Sequence, residues 1–129
     1  MSNPALVNST IMFHTNDEDK DDDTHVTVTL RDSNNVVAAS LSNDLGHFND
    51  GETNGPFGLI VKNPSTLEDL ARGAVEIHVD PNGHDEWHFN FALDLEFNDG
   101  SHLSGEANRI VLSHRNRSQT FGLSGFRKS

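Results

Sequence analysis

The stretch EWHFNFALDLEF, residues 86–97, puts Trp87, Phe89, Phe91, Leu93, Leu95 and Phe97 on every second position. His88, Asn90, Ala92, Asp94 and Glu96 fall between them. A side-chain period of two over so long a run predicts an antiparallel strand with one dry face and one wet face. THVTVTL repeats the pattern with Val26, Val28 and Leu30, and AVEIHV repeats it with Val75, Ile77 and Val79. Shorter apolar runs predict further strands around residues 6–14, 36–41, 57–62, 109–114 and 120–123. DSNN, NDGETNG, DPNG, NDGS and HRNRS supply turn chemistry between them. The one helical candidate is PSTLEDLARG, about two turns at most, with Ser65 or Thr66 as cap, Glu68 and Asp69 in the first turn and Gly73 as terminator. The expectation is an all-β protein, an antiparallel eight-stranded sandwich. A cupin-type barrel shares that strand content, and pattern alone does not separate the two.

The length, 129 residues, suits one domain with its own core. With no cysteine, disulfides, thiolate metal sites and cysteine catalysis are excluded. A net charge of -11 repels phosphate backbones and anionic headgroups unless bound cations invert it locally. The N-terminal residues carry no basic region followed by an apolar run, so no secretory signal is visible. No segment approaches the ~18 apolar residues of a membrane-spanning helix. The chain reads as soluble, either intracellular or a domain of something larger.

Between Asn16 and Asp23 lie six carboxylates in eight residues, with one lysine among them. Such density is either a solvated loop or a site for a hard cation, and calcium takes six to eight oxygen ligands of this kind. The helical calcium loop is rejected. Counted from Asp17, its glycine position is Asp22, its glutamate position is Val28, and strand follows. Sandwiches instead gather oxygens from several loops at one end. SNDLGHFNDGE offers Asn43, Asp44, Asn49, Asp50 and Glu52, and DPNGHDE offers Asp80, Asn82, Asp85 and Glu86. Spacing does not say whether these loops share an end.

The order of features in FHTNDEDKDDDTHVTVTL, HFNDGETNGPFGLIV, STLEDLARGAVEIHV and DPNGHDEWHFNFALDLEF resembles the PLAT (lipoxygenase-homology) domains and the related calcium-binding C-terminal domain of clostridial phospholipase C. The resemblance runs from Ile11 to Phe97 and rests on loop order. It implies an eight-stranded sandwich that docks on a membrane surface or a protein partner, often with calcium. By position it gives metal-binding roles to Asp21, Asp23, Asp80 and Asp85, with Asp23 acting through its carbonyl. Asp17, Asp19, Asn43, Asp44 and Asp50 form an outer set that completes the shell or holds further ions. Phe48 and Leu45 become the inserted tips of a docking end. The chain departs from the pattern at Asp23, where a small glycine is usual, and at His25, where an aspartate is common. His47 falls near another expected ligand, so Asn43 or Asp44 would take its place.

Other constellations point elsewhere. The eight histidines raise a catalytic zinc or iron site, but His84 and His88 sit in a strand region, and His78 and His88 fit polar outward positions on neighbouring strands. Trp87 is assigned to the core in preference to stacking on a sugar ring. Arg109, Arg115 and Arg117 form a small basic cluster. No nucleophile elbow, phosphate loop or dinucleotide fingerprint is present. The expected function is a non-catalytic calcium-binding module. The alternatives are a carbohydrate-binding or structural sandwich with calcium as a stabilising ion, and a small His-metal enzyme.

Overall fold

The computed structural model describes residues 4–16, 25–43, 51–80, 86–113 and 115–128, with backbone only at Asn43, Glu86 and Lys128. Among them the chain forms ten strands and one short helix: β1 (Leu6–Thr15), β2 (His25–Arg31), β3 (Val37–Asn43), β4 (Thr53–Gly58), β5 (Ile60–Val61), α1 (Leu67–Ala71), β6 (Ala74–Asp80), β7 (Glu86–Phe97), β8 (His102–Ser113), β9 (Ser118–Gly122) and β10 (Arg127–Lys128). They make two five-stranded antiparallel sheets, ordered β10-β8-β7-β1-β4 and β5-β3-β2-β6-β9. Two open sheets, not one closed barrel, settle the topology that alternation left undecided.

The alternation does what its period requires. Every apolar residue at the odd positions of β7 is buried, as are Val26, Val28 and Leu30 of β2 and Val75, Ile77 and Val79 of β6. These two inner faces meet in one core. At its centre Trp87 stacks on Phe89 with centroids 3.8 Å apart, and Phe13 packs against both rings. Trp87 is 1% exposed, and its indole N–H donates to the hydroxyl of Thr15 at 3.1 Å. It is a core residue, and no sugar can stack on it.

The α1 helix seals one edge of the core with Leu70. Thr66 is its cap, accepting from the Asp69 N–H at 3.2 Å. Gly73 follows the helix where the chain must pass close to β2. A Cβ there would lie 2.1 Å from the Arg31 carbonyl oxygen, so only glycine fits. Three segments differ from the sequence expectation, and the described residues form ten strands where the reading of the sequence gives eight. The strand expected at 57–62 is divided between β4, in the first sheet, and β5, in the second. The strand expected at 109–114 begins seven residues earlier, at His102. The residues near the C-terminus, where no strand is expected, pair as β10, with Arg127 opposite Ser104 and Lys128 opposite Leu103.

Candidate functional site

The strand registers answer the question of which loops share an end. The β2–β6 ladder sets His25 opposite Asp80, and the β2–β3 ladder sets Val26 opposite Asn43. In the other sheet His14 faces Thr53, Thr15 faces Phe89, and Glu86 faces Ser113. The Gly51 N–H donates to the Thr15 carbonyl at 2.8 Å, and the Asn16 N–H donates to the His88 carbonyl at 2.8 Å. The strand ends that bound residues 17–24, 44–50 and 81–85 therefore all lie at one end of the two sheets.

At that end Asp80 closes β6. Its Oδ1 lies 3.4 Å from Arg117 Nη1 and 3.2 Å from His78 Nε2, and its side chain is 52% exposed. Glu52 is carried to the same end, its carbonyl accepting from the Thr15 N–H at 3.0 Å. His25, at a position where the resemblance expects an acid, meets Ser42 Oγ at 2.6 Å. Oxygen-rich residues of this type suit a hard cation such as calcium. The described residues contain no group of three or more histidines or acids placed to hold a metal. Asp80 is the one expected ligand whose side chain is described. Asn43 is placed by its backbone as the last residue of β3. Asp17, Asp19, Asp21, Asp23, Asp44, Asp50 and Asp85, and the proposed tips Leu45 and Phe48, lie outside the described residues. His78 and His88 take the outward positions expected of them, but on strands of different sheets and not on neighbouring ones. His78 belongs to the second sheet, opposite Thr27, and His88 to the first, opposite Val111, so their outward faces point away from each other.

A second feature emerges on the outward face of the first sheet. Cross-strand rows run from β1 through β7 to β8: Thr10, Asp94 and Ser104, then Met12, Ala92 and Glu106. Next comes His14 beside Asn90, and then His88 beside Val111. Along these rows lie three depressions of about 540, 140 and 530 Å³. The first and second share Met12, Ala92 and Glu106, and the second and third share Asn90 and Asn108, so they form one groove. The small side chain of Ala92 leaves its floor low.

One wall of the groove is built by a β-bulge. The β7–β8 register slips between Phe89 and Phe91, and Arg109 takes φ 58, in the left-handed region that favours glycine. Asn90 secures the distortion. Its Oδ1 accepts from the Arg109 N–H at 2.9 Å and from Asn16 Nδ2 at 3.0 Å. Such bulges re-aim side chains and collect next to functional sites. Strand alternation alone did not point to these residues, but a signal exists. The inward positions of β8 change phase from Leu103 to Ile110 and Leu112, an odd-to-even slip that only an extra residue can produce.

Comparisons with protein-family models, with characterised proteins and with solved structures give no match. No described helix is long and apolar enough to cross a membrane.

Proposed function

We propose that the chain is a non-catalytic, PLAT-like calcium-binding sandwich that docks on a membrane surface or protein partner when calcium is bound. One observation carries this reading: the strand ends bounding the three acid-rich connections lie together at one end. Carboxylates brought together without a counter-ion repel each other and weaken the fold. A cation shared among Asp21, Asp23, Asp80 and Asp85, with Asp17, Asp19, Asn43, Asp44 and Asp50 completing its shell, would remove that repulsion. It would also turn a strongly negative end into one that tolerates anionic headgroups or an acidic partner. Leu45 and Phe48 would then be the apolar contacts of the docked state.

The test is a thermal melt in EDTA against the same melt in millimolar calcium, with magnesium as control. A site for calcium stabilises the fold by about 2.7 kcal/mol when the free ion is about a hundred times its dissociation constant. A rise with calcium alone supports the site. No rise, or an equal rise with magnesium, overturns it. Pelleting with phosphatidylserine vesicles in calcium but not in EDTA supports membrane docking. A calcium-dependent melt without pelleting removes the membrane and leaves a protein partner to be sought by calcium-dependent capture.

A further inference from the structure

We infer that the groove on the outward face of the first sheet binds a neutral oligosaccharide, and that it does so independently of any cation at the loop end. The groove follows β7 from Asp94 to His88, on the order of 20 Å at the rise of an extended strand. That accommodates several pyranose rings in a row.

Its chemistry selects the occupant. Asp94 and Glu106 share the groove with Arg127 and Arg109, and Asp94 Oδ2 lies 3.1 Å from His102 Nδ1, so the formal carboxylate and guanidinium charges along the groove balance on a chain whose net charge is -11. A cationic or anionic polymer gains nothing from such a balance. Carboxylates accept, guanidinium groups donate, the Asn108 amide does both, and the Asn90 amide, its Oδ1 already taken by Arg109 N–H and Asn16 Nδ2, still donates, which is what rows of vicinal hydroxyls require. Met12 and Ala92 give the middle of the floor an apolar surface for the C–H face of a sugar ring, with the exposed Val111 at the far end. An extended peptide is disfavoured for a separate reason. Strand addition requires free backbone groups at a sheet edge, whereas β1 and β7, which carry the groove floor, spend theirs on neighbours at both sides. The bulge supplies the independent mark of a built site. Arg109 is held at positive φ beside Asn90, whose Oδ1 accepts from both the Arg109 N–H and Asn16 Nδ2, and Asn108 and Arg109 line the groove there.

The test is isothermal titration of the full chain with cellohexaose, xylohexaose, mannohexaose and laminarihexaose, each in EDTA and in millimolar calcium. Saturable binding of at least one of them, unchanged by EDTA, is expected. Asp94→Ala and Glu106→Ala, both solvent-facing, should each weaken it about tenfold or more while melting like the parent. Glu96→Ala, on the same face but outside the groove, should leave it unaltered. The inference is overturned if none of the four binds at millimolar concentration, or if binding survives the Asp94→Ala, Glu106→Ala double variant. Binding that vanishes in EDTA also overturns it, because that would place the ligand at the loop end. A failure of the calcium melt leaves this test untouched.

Discussion

Arg117 meets Asp80 at the loop end, Nη1 to Oδ1, at 3.4 Å. Both side chains are about half exposed, so the pair contributes little to stability, on the order of 0–1 kcal/mol. Its interest is positional: the guanidinium occupies one oxygen of the only described carboxylate expected to ligate calcium.

Competition for that carboxylate sets the first prediction. Removing Arg117 frees an acceptor and takes away a positive charge, so Arg117→Ala should bind calcium more tightly than the parent. Asp80→Asn should bind it about tenfold or more weakly, having lost a charged ligand. In EDTA both variants should melt close to the parent. Calcium titrations followed by Trp87 fluorescence read all of this. Equal affinities in the three proteins would take Asp80 out of the site.

Gly73 gives a prediction that depends on backbone space alone. Its Cα lies against β2, where a Cβ would come within 2.1 Å of the Arg31 carbonyl oxygen and 2.9 Å of the Asp32 Cα. Neither obstacle is a flexible side chain that can swing aside. Gly73→Ala should therefore destabilise by about 2 kcal/mol or more, against the small gain that removing a glycine brings elsewhere. Urea unfolding measures it. Gly122→Ala, where a Cβ meets nothing within 4 Å, is the control and should stay within about 1 kcal/mol of the parent.

The strands are legible because burial follows a period of two, and the helix because its cap, acidic first turn and terminating glycine carry their own residue types. Trp87 to Phe97 were assigned inward from spacing, and all six are buried. Thr66, one of two candidate caps, proves to be the cap because its hydroxyl reaches the Asp69 N–H. Alternation failed where the period breaks. The bulge at Arg109 splits β8 into two phases, so its first half, His102 to Ala107, carried no continuous signal. β10 was unreadable because two residues cannot show a period, and it exists only because Leu103 and Ser104 offer a free edge. The loop end was half legible. Its acids are plain in the sequence, but their common location depends on long-range register, as when His25 lands opposite Asp80.

Asp32 should make the fold acid-sensitive. Burial to 8% exposure works against its charge. Hydrogen bonds from the Ser65 hydroxyl and the Val36 and Asn34 N–H groups outweigh that cost and hold its carboxyl below the usual range. A carboxylate whose folded pKa is depressed stabilises the fold at pH above its unfolded value of about 3.9. That stability is lost as pH falls through the lower, folded value. The gap in urea stability between the parent and Asp32→Ala should be about 2 kcal/mol near neutrality, the scale of hydrogen bonds to a charged group. It should narrow below pH ~4. A gap that stays constant down to pH ~2 would mean the charge contributes nothing and only the side chain's shape matters.

The last prediction concerns a polar link inside the aromatic core. Thr15 is fully buried, and its hydroxyl is the acceptor for the Trp87 indole N–H. Thr15→Val keeps the volume but removes the acceptor that the Trp87 indole N–H meets at 3.1 Å. The cost should be about 1–3 kcal/mol, the scale of a buried hydrogen bond that loses one partner. Thr15→Ser keeps the acceptor and loses one methyl, which should cost roughly 1 kcal/mol. The expected order of stability is parent, then serine, then valine, whereas hydrophobicity alone would put valine first and serine last at a strand position facing the core. Urea unfolding ranks the three directly, and a valine variant as stable as the parent would show that the indole does not depend on this acceptor.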